Sequence, residues 1–187
     1  MNSRFETIRS FRPKDLAAIL IAAVLYAAFS SAFLAFTQEI FFLNLAILLL
    51  ILTFTLLLVN RSGTAIAICL LITLIHPYAQ VVPFVTYFQH LAIMALVGFI
   101  FELSFLLLKL EIKSVPIDVV AGAAISASAI PWIIATFATP EWDPTIIIKI
   151  ANISLINFLI GVISASAATF IWKLLQRKTL FLRFEYE

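Results

Sequence analysis

Five stretches of this chain, 16–38, 40–60, 62–101, 119–140 and 150–172, contain no Asp, Glu, Lys or Arg. A helix needs only about 20 apolar residues to cross the hydrocarbon of a bilayer, so each run is long enough to span. Lipid offers no hydrogen bonds to the backbone, which restricts spanning segments to helices and closed barrels. Barrel strands alternate apolar and polar residues. Leu45 to Leu52 is apolar throughout, so helices remain. Composition agrees: the 187 residues are 64% hydrophobic and 12% charged, where a soluble domain is roughly half apolar and about a quarter charged.

The run 62–101 is too long for one span, and His76-Pro77-Tyr78-Ala79-Gln80 with Pro83 punctuates it as a turn. The sequence therefore predicts six helices, near 16–37, 40–59, 64–79, 84–108, 117–138 and 146–172. The expected fold class is all-α: a polytopic membrane protein built as a compact bundle of six transmembrane helices. Residues 15–175 form the transmembrane domain, 1–14 a basic N-terminal arm and 176–187 a C-terminal tail. Links this short make neighbouring helices antiparallel. The second span, crowded with Leu, Ile and Phe, reads as a lipid-facing helix.

Orientation follows from Lys and Arg near the span ends, because cytoplasmic loops hold the excess. Eleven of the twelve basic residues fall on one side: Arg4, Arg9, Arg12, Lys14, Arg61, Lys109, Lys113, Lys173, Arg177, Lys178 and Arg183. Only Lys149 falls on the other side, which also carries Glu39 and the acidic Thr139-Pro140-Glu141-Trp142-Asp143-Pro144. Both termini are expected in the cytoplasm, and the protein is expected in the cell membrane. The net charge of +2 follows from the inner basic ring and does not suggest nucleic acid.

No reactive constellation is visible. Nucleophile elbows, zinc-binding His-Glu-x-x-His helices, paired aspartates and Gly-rich phosphate loops are all missing from the sequence. Cys69 stands alone, so no disulfide framework or metal cluster is expected. The expectation is a protein that is not an enzyme and needs no cofactor or metal.

Polar groups that persist in apolar spans are then the leads, because they are costly in hydrocarbon unless paired or lining a cavity. In the fourth span Tyr87, His90, Met94, Gly98 and Glu102 recur at steps of three and four and share one helical face, expected to point inward. Glu102 has three open roles: pairing with Lys109, pairing with a partner subunit, or proton coupling. The fifth span holds Pro131-Trp132, and the sixth begins with Lys149 and Asn152. Tyr87, His90, Trp132, Lys149 and Asn152 thus gather in the outer halves of three consecutive spans, and such a set, with its indole, histidine and lysine, suits a small, flat molecule, neutral or anionic. Plainer roles are open to the same residues: Lys149 snorkelling to headgroups, and His90 and Trp132 packing.

Small residues mark packing faces. Ala18, Ala22, Ala23 and Ala27 in the first span lie at spacings of four, as do Gly122/Ser126 and Asn157/Gly161 later. Such faces let a helix approach closely, whether from the same chain or from another subunit.

The opening Arg12-Pro13-Lys14-Asp15-Leu16-Ala17-Ala18, running into Ala22, Ala23 and Ala27, resembles the first helix of the S components of energy-coupling factor vitamin transporters. Ala95-Leu96-Val97-Gly98-Phe99-Ile100-Phe101-Glu102-Leu103 and Asn157-Phe158-Leu159-Ile160-Gly161 are similar in kind, and the six-span plan covers the whole chain. The resemblance implies a substrate-binding subunit that captures a vitamin-like small molecule from outside. It implies docking through Ala18, Ala22, Ala23 and Ala27 to a transmembrane coupling subunit that carries two cytoplasmic ATPases. The alternative is a non-catalytic scaffold or accessory subunit of a larger membrane assembly.

Overall fold

The computed structural model describes residues 11–34, 41–75, 87–108, 111–112, 115–138 and 143–176. The basic arm, most of the tail and the turn around Pro77 lie outside them. Six helices make up the fold: α1 (Pro13–Leu34), α2 (Phe41–Val59), α3 (Thr64–Ile75), α4 (Tyr87–Leu108), α5 (Ile117–Ala138) and α6 (Pro144–Gln176). Between α4 and α5 the chain makes one minimal antiparallel bridge, β1 (Glu111–Ile112) with β2 (Val115–Pro116).

Local chemistry sets several helix ends. Pro13 opens α1, where its fixed φ suits the first turn and its missing N–H costs nothing. Asp15 then reaches back to accept the Arg12 N–H at 2.9 Å, as the second half of a capping box. Asn60, at φ 50°, stops α2 in the left-handed region and donates its N–H to the Leu56 carbonyl at 2.8 Å. Asp143 caps α6, accepting from the Thr145 hydroxyl at 2.8 Å and from its N–H at 3.2 Å.

Five of the six helices are long and apolar enough to cross a membrane. The exception, α3, has 12 residues, about 18 Å at 1.5 Å per residue. In contrast α6 has 33, about 50 Å, well beyond the ~30 Å of hydrocarbon. Large apolar side chains cover the outside of the bundle, among them Ile21, Phe29, Leu107, Leu155, Ile163 and Phe170. Polar side chains such as Thr53 and Asn157 are fully buried inside. This is the arrangement that a bilayer, and not water, selects.

The helices close a circuit in which α1 packs on α3, α3 on α4, α4 on α5, α5 on α6, α6 on α2 and α2 on α1. Helix α2 also touches α3 and α5. That corrects the expectation of a lipid-facing second span: Leu45, Leu48, Leu49, Leu52, Leu56 and Val59 are buried core. A helix that is apolar on every side carries no signal of which side faces protein, since lipid and bundle interior are equally apolar surroundings.

Candidate functional site

Two polar regions are built into this bundle. The first lies where α1, α4 and the α2–α3 turn meet. Arg61, in that turn, places Nε 2.7 Å from Asp15 Oδ2, joining the first turn of α1 to the start of α3 across a pair that is nearly dry. Gly98 sets the second contact: a Cβ there would lie 2.9 Å from Ile66 Cα, so only glycine lets α4 press against the opening of α3. One turn further on α4, Glu102 is buried and its carboxylate accepts the N–H groups of Gly63 and Ala65. Helix α3 starts after a glycine that has no side chain with which to cap, and Glu102 supplies the cap from a neighbouring helix. The positive end of the α3 dipole and the carboxylate stabilise each other. Glu102 is therefore engaged with backbone; Lys109, one of the partners expected for it, lies outside the described residues.

The second region runs along α6. Ile150, Ser154, Asn157, Gly161, Ser164 and Ala168 follow alternating steps of four and three and are all buried, forming one inward seam. This spacing keeps the seam against its neighbours along the helix. At Gly161 the seam is tight, because a Cβ there would lie 2.7 Å from Ala124 Cα and 2.8 Å from the Ala123 carbonyl oxygen. Toward the α6 N-terminus it becomes polar. Asn157 is 0% exposed, and neither its Oδ1 nor its Nδ2 has a hydrogen-bond partner. Ser154 Oγ, one turn away, has none either. Near the C-terminal end of α6 the stacking is conventional: Trp172 meets Phe54 of α2 edge to face, with centroids 5.8 Å apart.

The sequence candidates distribute unevenly over these regions. His90, Met94, Gly98 and Glu102 are all buried on one face of α4, as their spacing predicts. Tyr87 begins α4, and its side chain lies outside the described residues. Trp132 is 38% exposed on α5, and Lys149 and Asn152 are exposed on α6, off its buried seam. Ala22, Ala23 and Ala27 are buried and Ala18 is partly buried, on the side of α1 that α2 and α3 cover. What α1 leaves uncovered is Leu16, Leu20, Ile21, Val24, Leu25 and Phe29.

Sequence reasoning placed Asn157 on a packing stripe and missed that it is an unpartnered amide. Its signal was available, since it is the one Asn in the middle of the charge-free run 150–172. Among the described residues no three His, Cys, Asp or Glu side chains gather as a metal would require. Compared with protein families, curated proteins and solved structures, the chain matches none.

Proposed function

We propose that this chain is the substrate-binding membrane subunit of an uptake transporter for a vitamin-like micronutrient. In this reading its basic end faces the cytoplasm and the α6 N-terminus faces outside. The observation that carries it is the pair Asn157 and Ser154, buried and without hydrogen-bond partners in the seam of α6. A polar side chain left open in a lipid-embedded interior costs free energy, and it persists where a bound molecule completes it. Buried His90 on α4 adds a further hydrogen-bonding group to the bundle interior. Trp132, Lys149 and Asn152 would act at the approach to the site, on the exposed surfaces of α5 and α6. The small residues of α1 hold its own bundle together, so docking to a coupling subunit would use the apolar face from Leu16 to Phe29.

The test is gentle extraction of the protein from its native membrane followed by mass spectrometry of everything that accompanies it. The proposal expects a transmembrane partner, two ATPases and a retained small molecule. Recovery of the bare chain with lipid alone would reject it.

A further inference from the structure

Helices α5 and α6 are joined by residues 139–143, a link short enough to make them antiparallel. Their register follows from the contact of Gly161 with Ala123 and Ala124. One turn from Gly161 toward the start of α6 is Asn157, and one turn from Ala123 toward the end of α5 is Ala127. The two therefore stand at the same level, and both are 0% exposed.

Pro131 lies inside α5 and has no N–H to give. The bond it fails to make is the one a helix would direct to the carbonyl four residues earlier, that of Ala127. At one depth in the seam, then, a backbone carbonyl stripped of its helical donor accompanies an amide with both atoms open. Ser154, level with Ile130 and Pro131, adds an open hydroxyl on the side toward the α6 N-terminus. Residues 119–140 and 150–172 carry no charged side chain that could offset an ion at this depth.

We propose that Asn157, the Ala127 carbonyl and Ser154 bind the edge of an uncharged cyclic amide, a ring presenting N–H beside C=O. This deepens the substrate-binding reading and rests on it. Asn157 Nδ2 donates to the ring C=O while its Oδ1 accepts the ring N–H, the two-point pairing that a carboxamide makes with another amide. In a ring with a second N–H, such as uracil, that group donates to the Ala127 carbonyl, and the Ser154 hydroxyl closes the site toward the exposed end of α6.

The test uses the full chain in detergent, with thermal unfolding read in the presence of uracil, 2-piperidone or 1,3-dimethyluracil. Uracil carries two ring N–H groups and 2-piperidone one, and 1,3-dimethyluracil has the uracil ring with both N–H groups methylated. A ligand at on the order of a hundred times its Kd raises the midpoint of a protein this size by about 5 °C or more. Uracil or 2-piperidone is expected to do so and dimethyluracil is not. Asn157→Ala is expected to fold and lose the shift. Pro131→Ala, which returns an N–H to the Ala127 carbonyl, is expected to weaken uracil binding several-fold and serves if Asn157→Ala does not fold. No shift with either N–H probe, an equal shift with dimethyluracil, or a shift that survives both substitutions overturns the proposal. A chain that responds to uracil but is never recovered with ATPases keeps this site and loses the uptake role.

Discussion

The two polar regions of this bundle treat their groups in opposite ways. Where α1, α4 and the α2–α3 turn meet, full charges are present and every one singled out is matched: Asp15 by Arg61 and the Arg12 N–H, Glu102 by two N–H groups at the head of α3. In the α6 seam the groups are neutral, yet Asn157 and Ser154 are left open. The difference is one of cost. An unmatched ion in a dry interior is penalised by several kcal/mol, so charges survive only as closed sets. A neutral amide costs roughly 1–3 kcal/mol when unsatisfied, which a folded chain tolerates. The ionic region thus ties helices together, and the neutral one keeps hydrogen bonds in reserve.

The largest effect expected of that contrast is at the ion pair. Arg61→Met strands Asp15 in a buried position and should destabilise the bundle by about 3–5 kcal/mol, with Asp15→Leu in the same chain recovering most of the loss. Denaturant titration in mixed micelles measures both, and equal stability of the single variant and the parent would dissolve the distinction between the regions.

Next comes Glu102. Replacing it by Leu leaves the Gly63 and Ala65 N–H groups unsatisfied, at about 1–3 kcal/mol for the buried Ala65 donor and less for the part-buried Gly63, which water can reach. Glu102→Gln keeps one acceptor and should lose less than half as much. If Gln and Leu cost the same, the carboxylate is not capping α3. Hydrogen exchange at the α3 N-terminus reports this directly, through faster exchange of Ala65 in the Leu variant.

The seam should respond with the reverse sign. Asn157→Ala removes two unpartnered atoms and is expected to leave stability within about 1 kcal/mol of the parent, or to raise it. A loss of about 3 kcal/mol or more in the absence of ligand would show that the amide is already satisfied, and the reserve would not exist.

The smallest effect is expected at Asp143, which is fully exposed at the start of α6. Its carboxyl is held below the usual carboxylate range by the Thr145 hydroxyl and then by the Thr145 N–H. A group whose pKa is lowered on folding stabilises above its unfolded pKa and loses that contribution as the pH falls through the folded value. Asp143→Asn should therefore flatten a slight acid-side decline in stability, by lowering stability slightly at neutral pH and leaving it unchanged where the carboxyl is protonated. An unchanged acid-side slope would mean that the cap is not what titrates.

Much of the fold was legible because charge is so restrictive in lipid. The expected fifth span, 117–138, is α5 to the residue, and the expected inward face of α4 is the buried one. The role of α2 was not legible. Its side chains are apolar in every direction, and in a bilayer that describes a central helix as well as a peripheral one. The candidate site was legible only in part. Spacing placed His90 on the face that is buried, but it could not say what lies over Lys149 and Asn152, because the seam of α6 is set by Gly161 meeting Ala124. Nor could spacing tell that the alanines of α1 would be taken up by its own neighbours. Asn157 stood in plain view in the sequence, and only the packed structure revealed that nothing answers it.

The circuit of helices has a consequence for how the chain is made. Helix α2 is flanked by α1, synthesised just before it, and by α6, the last helix described. During biogenesis one flank of α2 therefore stays in contact with acyl chains until the sixth segment is threaded in. Helix α5 likewise awaits α6 at Ala123 and Ala124. Helix α6 is the keystone of this circuit, and a ribosome that stalls before it leaves a set of inserted helices with no closed interior.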